Sequence, residues 1–587
     1  MSNDDDRTIL ILYATETGTS QDVADGIARY CRRGHIRSRV LSMDQYSPAD
    51  LISENLVIFA VSTTGSGIEP RSMAELWSML LRSDLPENLF EDLQFAVFGL
   101  GDTSYEKFCW PAKKLSRRLK SLGAEEICPL GEGDEQHRLG IDGALDLWIE
   151  SLLEAILQLL PLPPGLELLP TDTVPPARVS FSVASDNAPV EDPLDRAEGY
   201  HFATLRCNDR ITSHDWFQDV RHLEFTFEDD IRYSPGDVAV VHPVAPPEQV
   251  EDFMSSMGWE DISDDHFEIS HIYQDQSLPD HLPYKLCLRD IFTRYLDFNS
   301  VPRRSFFQYL RYFTKEEAEI ERLDEFLAES GADDLYEYCY QVRRTIREVL
   351  SEFRGVRIPK QYVFDVFPPL RPRQFSIASS IKKHPRQIHL CVAIVKYRTK
   401  LRVPRQGVCS MYLSTLESGD AIKIGIKAGF MKLPSTNQPI ICVGPGTGVA
   451  PMRAVLQERI KNQSYNNTLY FGCRSAYKDQ HYKTEWKACV TANELTYRVA
   501  CSRDGPEGAK RTYVQDLIRE DSKRIWELLD MEQACILISG SSNKMPAAVK
   551  EALQSAVELH GEKTPGDAAE YIRLLERNGR LSEECWS

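Results

Sequence analysis

The sequence lacks the paired cysteines and histidines that hold structural metals. Its 14 cysteines are scattered, and the two that lie closest along the chain, Cys489 and Cys501, are too far apart for a C-x-x-C motif. No H-E-x-x-H motif occurs. Both absences argue against a bound zinc ion or iron–sulfur cluster, and we predict no metal site. Scattered cysteines with apolar neighbours are typical of reduced core residues in an intracellular protein.

The sequence also lacks an excess of positive charge and any long apolar run. A net charge of -20 argues against a nucleic-acid partner. Without a signal peptide, a transit peptide or a membrane span, we expect a cytosolic protein that does not contact a membrane. Residues 1–160 carry 26 acidic and 15 basic side chains. This excess of negative charge suits docking to a basic partner surface. Composition alone explains the same charge equally well by ordinary solubility.

The 587 residues are enough for three or four domains. Residues 1–160 alternate strand and helix patterns, which predicts a doubly wound α/β sheet. Residues 161–198 are proline-rich and then polar, and we interpret them as an extended linker. Residues 199–430 resemble a β-barrel that is interrupted by a helical insertion at about 248–365. Residues 431–587 alternate strand and helix again, which predicts a second doubly wound domain.

Three strands of the first domain end in small, hydroxyl-bearing loops. The first loop, Thr15–Ser20, has no lysine and so does not match a nucleoside triphosphatase loop. Hydroxyls and main-chain amides at a helix N-terminus suit a single terminal phosphate, as in FMN, and Tyr105 in the third loop is placed to stack on a flat ring. Each loop alone is open to interpretation as a plain turn, but the three together favour a flavin. The predicted FMN contacts are Thr15, Glu16, Thr17, Gly18, Thr19, Ser20, Ser62, Thr63, Thr64, Gly65, Leu100, Gly101, Asp102, Thr103, Ser104, Tyr105, Glu106, Lys107, Phe108, Cys109 and Glu135.

A second phosphate loop of different design lies far downstream. The apolar run Ile440–Val443 leads into Gly444-Pro445-Gly446-Thr447-Gly448, and a helical pattern follows. Glycines between a strand and a helix let main-chain N–H groups approach a dinucleotide pyrophosphate. The chain is therefore predicted to hold two or more phosphorylated cofactors and to move something between them.

Taken together, these segments resemble the diflavin reductases nearly from end to end; only the linker has no counterpart. The resemblance implies a flavodoxin-like FMN domain, a ferredoxin-reductase-type FAD β-barrel with a helical insertion, and a Rossmann-like NADP-binding domain. Arg373-Gln374-Phe375-Ser376 is similar to the family's R-x-[YF]-S motif for FAD. The resemblance implies a further phosphate contact from Arg343 or Arg344, in a helical run predicted over Leu335–Phe353; from the sequence alone, an ion pair on the helix surface is the favoured interpretation. The implied FAD contacts are Arg343, Arg373, Gln374, Phe375, Ser376, Gly407, Val408, Cys409 and Ser410.

The same resemblance implies NADPH as the electron donor. Two arginines near the predicted ribose favour NADPH over NADH, because a 2′-phosphate needs positive partners. The implied NADPH contacts are Thr447, Ser502, Arg503, Arg511, Thr512, Tyr513, Val514, Gln515 and Trp586. The implied catalytic residues are Ser376, Ser539, Glu584 and Trp586, the last covering the flavin face that nicotinamide must reach. Two positions depart from the family: Ser539 replaces a frequent cysteine, and Thr64 replaces the aromatic ring of the microsomal reductases.

The implied activity is electron transfer from NADPH to FAD, then to FMN, and then singly to a protein acceptor, with a swing of the first domain on its linker. Gly133–His137 and Lys544–Pro546 look most like the cytosolic diflavin oxidoreductase branch of iron–sulfur protein assembly, whose partner is an anamorsin-type iron–sulfur protein. The flavoprotein subunit of sulfite reductase, methionine synthase reductase and the reductase of a haem monooxygenase are the alternative branches. A scaffold that has lost its cofactors is the alternative outside the enzymes.

Overall fold

The computed structural model describes residues 7–65, 67–185, 190–400, 402–429, 431, 433–435, 438–506, 510–542 and 544–586. Residues 186–189 of the predicted linker therefore lie outside the described residues. The described parts of Met1–Asp192, Ala245–Arg371 and Thr399–Val403 form one compact unit. Those of Pro193–Val244, Pro372–Arg398 and Pro404–Ser587 form a second.

The first unit begins with a parallel sheet of the order β2-β1-β3-β4-β5, in which β6 also pairs with β4. Its strands are β1 (Thr8–Ala14), β2 (Arg37–Ser42), β3 (Leu56–Ser62), β4 (Gln94–Gly101), β5 (Glu125–Glu126) and β6 (Gly131–Asp134), and its helices are α1 (Thr19–Cys31), α2 (Ala74–Leu80), α3 (Trp110–Ser121) and α4 (Asp142–Leu159). Alternate residues of β1 enter different cores: Ile9 and Ile11 pack on one face, Leu10 and Leu12 on the other. The continuous apolar runs of β1 and β3 are thus explained by burial on both faces.

Strand β7 (Val179–Val183) follows, and after it come the first barrel strands β8 (Tyr200–Arg210), β9 (Val220–Phe227) and β10 (Val238–Val241). The insertion then contributes α5 (Pro247–Met257), β11 (His266–His271), β12 (Lys285–Cys287), α6 (Leu288–Arg294), α7 (Arg304–Phe313), α8 (Glu317–Leu327), α9 (Ala332–Leu335), α10 (Ile346–Glu352) and α11 (Val363–Val366). Its core is rich in aromatic rings, with Phe253 stacked on Phe298 at a centroid distance of 4.6 Å.

Two predictions about these segments were wrong. Part of the linker forms strand β7, which pairs antiparallel with β11 of the insertion; this partner is distant in sequence and leaves no local pattern. The helical run predicted over Leu335–Phe353 is broken between a π-turn at Tyr336–Tyr340 and α10. The break comes where Arg343 adopts φ 51° and Thr345 begins a new helix, with its N–H donating to Glu348 Oε2 at 2.8 Å. That T-x-x-E spacing is a helix-start signal.

The second unit contains an antiparallel sheet of the order β13-β10-β17-β8-β9-β14, whose edge strands contact each other and nearly close a barrel. Its later elements are β13 (Arg373–Ser376), β14 (Gln387–Ala393), the hairpin β15 (Lys396–Arg398) and β16 (Pro404–Gln406), α12 (Val408–Thr415) and β17 (Ala421–Lys427). Residues from alternate positions of these strands fill the barrel interior.

A five-stranded parallel sheet of the order β20-β19-β18-β21-β22 completes the second unit. Its strands are β18 (Ile440–Val443), β19 (Asn467–Cys473), β20 (Thr496–Cys501), β21 (Cys535–Ser541) and β22 (Leu581–Trp586), and its helices are α13 (Val449–Lys461), α14 (Lys483–Thr491), α15 (Val514–Glu520), α16 (Ser522–Asp530), α17 (Lys544–Gly561) and α18 (Pro565–Arg577). Both doubly wound sheets and the interrupted barrel predicted from sequence are present. None of the helices in the described ranges combines the length and apolar character that crossing a bilayer requires.

Candidate functional site

The first loop joins β1 to the N-terminus of α1. Gly18 lies in the left-handed region at φ 98°, which turns the chain into the helix. Its N–H donates to Thr15 Oγ1 at 2.8 Å. The buried Ser20 hydroxyl is hydrogen-bonded to the hydroxyl of Ser62, at the start of the second loop. Hydroxyls, loop amides and the first turn of α1 therefore meet at one edge of the sheet, as a phosphate site requires.

The second and third loops are joined to each other and to the acidic loop after β6. The Thr63 N–H donates to the Leu100 carbonyl at 2.9 Å. The Thr103 N–H and hydroxyl donate to Asp134 at 3.0 and 2.7 Å. Tyr105 is half-buried, so part of its ring is accessible. All the predicted FMN residues thus lie where β1, β3, β4 and β6 end, at the carboxyl edge of one sheet.

Arg371 contacts the first loop, a contact that the sequence did not reveal. Its guanidinium donates to the Gly18 carbonyl at 3.3 Å, to Gln21 Oε1 at 2.8 Å and to Asp22 Oδ1 at 2.8 Å. A Cβ on Gly18 would lie 2.3 Å from Arg371 Cζ, so a larger residue here would displace the guanidinium from the loop. Arg371 therefore braces the FMN loop, although it stands only two residues before Arg373 of the FAD motif.

The FAD motif forms strand β13. Its pairing with β10 places Ser376 opposite Val238, and Phe375 packs against the barrel core. Arg373 is exposed, so its charge is accessible to a phosphate. The Ser376 hydroxyl donates to Glu584 Oε1 at 3.1 Å. Two of the predicted catalytic residues, separated by more than 200 positions, are therefore in direct contact.

The second FAD segment is a turn that leads into α12. The Ser410 hydroxyl accepts from the Val395 N–H at 3.1 Å and donates to the Gly407 carbonyl at 3.2 Å. These bonds brace the turn and leave main-chain amides at the start of α12 for a phosphate. Cys409 is buried, which raises the pKa of its thiol to about 12 and keeps it protonated. The side chain of Val408 is only partly buried at the first position of the helix.

Arg343 is exposed at the bend before α10. Its neighbour Arg344 forms an ion pair with Glu352 and donates from Nε to the Tyr338 carbonyl at 2.9 Å. The ion pair considered for this part of the chain is thus present at Arg344. A phosphate contact from Arg343 stays a prediction.

The pyrophosphate loop approaches the end of β21 very closely. A Cβ on Gly448 would lie 2.2 Å from the main-chain oxygen of Ser539, so only glycine fits without a shift of the backbone. Gly446 has φ 60°, and Thr447 is half-buried in the turn before α13. The turn therefore combines flexible backbone with an accessible hydroxyl, which fits a dinucleotide.

The pairing of β21 with β22 brings the remaining catalytic candidates together. Ser539 lies opposite Glu584, and Trp586, at the end of β22, is 40% exposed and accessible to a ligand. The Ser539 hydroxyl is buried and finds no hydrogen-bond partner among the described residues. Buried hydroxyls are nearly always satisfied, so this oxygen fits a polar group of a bound nicotinamide or a water.

Two guanidinium groups lie together at the ends of β19 and β20. The Arg503 N–H donates to the Arg474 carbonyl at 2.8 Å. Both guanidinium groups lie over the ring of Phe217, at 4.9 Å for Arg474 and 5.8 Å for Arg503. Burial and the charge of Arg503 lower the pKa of Arg474. Adjacent positive charges suit a phosphate, and sequence reasoning missed Arg474 because only strand pairing shows that it neighbours Arg503.

The other predicted 2′-phosphate residues lead into α15. Arg511 and Tyr513 are exposed, and Thr512 and Gln515 are half-buried. The Val514 side chain packs in the core, which leaves only its main chain for a cofactor contact. The Ser502 N–H donates to the Cys473 carbonyl at 3.0 Å, so Ser502 is held at the same strand ends as the two arginines.

Side chains of helix α13 form hydrogen bonds with residues 378–380, which follow the FAD motif in the chain. Arg453 Nη1 donates to the Ala378 carbonyl at 2.7 Å. Gln457 Oε1 accepts from the Ser380 N–H at 3.2 Å, and Glu458 accepts from the Ser380 hydroxyl. We call Arg453, Gln457 and Glu458 the α13 clamp. The α13 clamp thus connects residues 378–380, just after Ser376, to the helix that begins at the pyrophosphate loop.

One cluster in the described ranges has side chains that metals use. Ligand atoms of His222, Glu224 and His389 all lie within 4.8 Å of one another. Arg453 Nη1 lies 3.3 Å from His389 Nδ1, and His222 Nδ1 lies 3.0 Å from the Tyr482 hydroxyl. Because a neutral His389 that accepts from Arg453 carries its proton on Nε2, the cluster fits a hydrogen-bonded network. The prediction of no metal stays a prediction.

Comparison with protein families agrees with the three parts of the architecture. Residues 11–148 match the flavodoxin model, residues 193–412 match the FAD binding domain model, and residues 442–551 match the oxidoreductase NAD-binding domain model. The predicted fold class and the three cofactors FMN, FAD and NADPH are thereby confirmed. The domain boundaries and individual contact residues remain predictions.

Curated relatives match along almost the whole chain. A protein of Xenopus laevis named NADPH-dependent diflavin oxidoreductase 1 is 38% identical over 602 residues, covering 99% of this chain and 100% of the relative. Proteins of the same name from Danio rerio and Schizosaccharomyces pombe are each 38% identical; the alignments cover 99% and 98% of this chain, and 99% of each relative.

Proposed function

The chain belongs to the NADPH-dependent diflavin oxidoreductase family, and we propose that its electron acceptor is an iron–sulfur protein of the anamorsin type, in cytosolic iron–sulfur protein assembly. That it is an NADPH oxidoreductase with FMN, FAD and NADP domains follows from the family. The acceptor, the pathway and the cytosolic location are the proposal. All 14 cysteines are unbridged thiols, which fits a reducing compartment.

The bound cofactors supply the redox chemistry, in which electrons arrive from NADPH as a pair and leave for the acceptor singly. The protein supplies positions and charges. The hydroxyls and amides of the Thr15–Ser20 loop would hold the FMN phosphate, and the hydrogen bonds of Arg371 support that loop. We assign Ser376, which Glu584 orients through a hydrogen bond at 3.1 Å, to a hydrogen bond at the reacting edge of FAD. The Glu584 carboxylate would accept or return a proton there.

The observation that carries the acceptor proposal is the acidity of the FMN edge. The loops there present Asp102, Glu106, Asp134 and Glu135, and Glu106 and Glu135 are exposed. An acceptor must approach this edge to receive electrons, so a basic partner surface is favoured. Complementary charge of this kind mainly raises the association rate.

Anaerobic rapid mixing of the NADPH-reduced protein with candidate acceptors tests the proposal. We expect fast reduction of the iron–sulfur protein, with a rate that falls as salt is added. The double variant Glu106→Gln/Glu135→Gln should lower the association rate about tenfold. The matched control Glu91→Gln/Asp92→Asn changes exposed acids before β4, at the opposite edge of the sheet, and should leave the rate unchanged. FMN content, measured from absorbance, separates docking from cofactor loss.

Fast reduction of the sulfite reductase haemoprotein, with none of the iron–sulfur protein, would overturn the acceptor proposal. It would favour the sulfite reductase branch instead. Equal effects of the two double variants would show that charge at the FMN edge does not guide docking.

A second experiment addresses the choice of NADPH. Replacing Arg503 and Arg511 together by alanine should raise the KM for NADPH about 100-fold, because two charge-assisted hydrogen bonds to the 2′-phosphate are lost. The KM for NADH should change little. Arg519→Ala, which removes an exposed arginine on α15, is the matched control. Unchanged preference for NADPH in the double variant would place the 2′-phosphate elsewhere.

A further inference from the structure

Two thiols lie side by side at the ends of β19 and β20. Cys473 and Cys501 are paired in register, and their Sγ atoms are 3.6 Å apart. Neighbouring strands run about 4.7–4.9 Å apart, which falls within the Cα separation that a disulfide spans. Both residues are only partly buried, so a small oxidant can reach them. A disulfide here needs rotation of two side chains and a small shift of the two strand ends.

These thiols directly precede the basic pair at the same strand ends. Arg474 follows Cys473, and Ser502 and Arg503 follow Cys501. The Cys473 carbonyl accepts the Ser502 N–H at 3.0 Å. A bond that draws the two sulfur atoms to about 2.05 Å pulls on the residues that carry both guanidinium groups. Oxidation and phosphate binding are thus linked through adjacent main-chain atoms.

We propose that Cys473 and Cys501 form a reversible disulfide when a hydroperoxide oxidises them, and that this bridge weakens binding of the NADPH 2′-phosphate. One thiolate attacks the peroxide O–O bond, which gives a sulfenic acid and releases the corresponding alcohol, or water when the oxidant is hydrogen peroxide. The second sulfur attacks that sulfenic sulfur, the S–S bond forms and water leaves. The two sulfurs lose two electrons, which reduce the peroxide, and a dithiol reductant reverses the reaction.

The bridge forms slowly compared with catalytic turnover. Burial and the neighbouring thiol raise the pKa of Cys473, and burial and Asp504 raise that of Cys501. Because the thiolate is the reactive form, little of it is present at neutral pH. A partly exposed disulfide is more readily reduced than a buried one, so the bridge persists only under sustained oxidation.

The experiment uses the full chain with both flavins bound. After treatment with hydrogen peroxide and blocking of remaining thiols, peptide mass mapping should show a Cys473–Cys501 crosslink that dithiothreitol removes. Inhibition by 2′,5′-ADP should then weaken about fivefold, the loss of roughly one hydrogen bond. Inhibition by 5′-ADP, which lacks the 2′-phosphate, should stay constant. This contrast separates a local effect from general damage.

Matched variants complete the test. Cys501→Ser should form no crosslink and keep its affinity for 2′,5′-ADP after peroxide. Cys489→Ser, which removes a half-buried thiol on α14, should respond like the parent protein. Absence of the Cys473–Cys501 crosslink while other thiols oxidise would overturn the proposal, as would a crosslink that leaves 2′,5′-ADP binding unchanged.

The effect on affinity rests on the proposed assignment of Ser502 and Arg503 to the 2′-phosphate, whereas formation of the bridge does not. If the reduced protein fails to distinguish 2′,5′-ADP from 5′-ADP, that assignment fails and the affinity effect fails with it. The mass measurement judges the bridge independently.

Discussion

Replacing Arg453 with alanine is expected to slow the reduction of FAD by NADPH about 100-fold, because a displacement of 1 Å at a reacting centre costs about that much. Arg453 is buried, donates to the Ala378 carbonyl and pairs with Glu485 at 2.7 Å. Its helix begins at the pyrophosphate loop, and Ala378 lies two residues after Ser376. Loss of the guanidinium therefore frees the nicotinamide loop to move relative to the flavin strand.

Arg459 provides a matched control on the same helix. It is equally buried, but its guanidinium bonds to Asn467 and to the Gln438 carbonyl, each at 2.7 Å, and not to the FAD segment. Arg459→Ala should lower thermal stability about as much as Arg453→Ala and leave the rate of FAD reduction near that of the parent. Arg453→Lys keeps the charge beside Glu485, so its rate of FAD reduction should lie between the rates of Arg453→Ala and Arg459→Ala.

Stopped-flow reduction under anaerobic conditions measures these rates. With NADPH deuterated at the transferred position, the isotope effect should increase in Arg453→Ala, because poor alignment makes hydride transfer rate-limiting. The KM for NADPH should change less than the rate. Equal rate losses in the two alanine variants, or an unchanged isotope effect, would mean that Arg453 only stabilises the fold.

Local patterns predicted the positions of the strand-end loops well because each loop is defined by its own neighbours. An apolar run followed by glycine and hydroxyl residues located the ends of β1 and β18 within a residue. The same reasoning missed Arg371, Arg453 and Arg474. Each acts through a partner on another strand or helix, and a basic residue in isolation has the same appearance as solvated surface.

The linker shows the same limit. Its composition predicted an extended chain, but composition does not reveal which main-chain groups find partners. The His35 ring bonds to the Glu167 carbonyl at 2.9 Å, and the Leu169 N–H donates to the Arg33 carbonyl at 2.9 Å. The first part of the linker is thus fastened to the FMN domain, and β7 is fastened to the insertion.

The Tyr312 hydroxyl of the insertion donates to the Thr171 carbonyl at 2.6 Å, so the segment left to bend is residues 172–177. At its far end, Arg178 donates to Asp365 at 3.0 Å, and Asp25 of the FMN domain accepts from Ser277 Oγ at 2.8 Å. The FMN domain thus docks on the insertion through charged groups, of which Asp25 is deeply buried. Polar docking of this kind is compatible with release, which the proposed swing of the domain requires.

Deleting residues 172–174 should leave the reduction of FAD by NADPH unchanged and slow the reduction of the acceptor more than tenfold. The deletion shortens the reach of the free segment by about 10 Å, which limits how far the FMN edge can turn outward. Replacing the same residues with Gly-Ser-Gly keeps the length and should preserve both rates. Because one FMN surface cannot face FAD and an external acceptor at once, only the second transfer depends on that reach. Equal loss of both rates, or equal behaviour of the deletion and the same-length replacement, would rule out a swing about this segment.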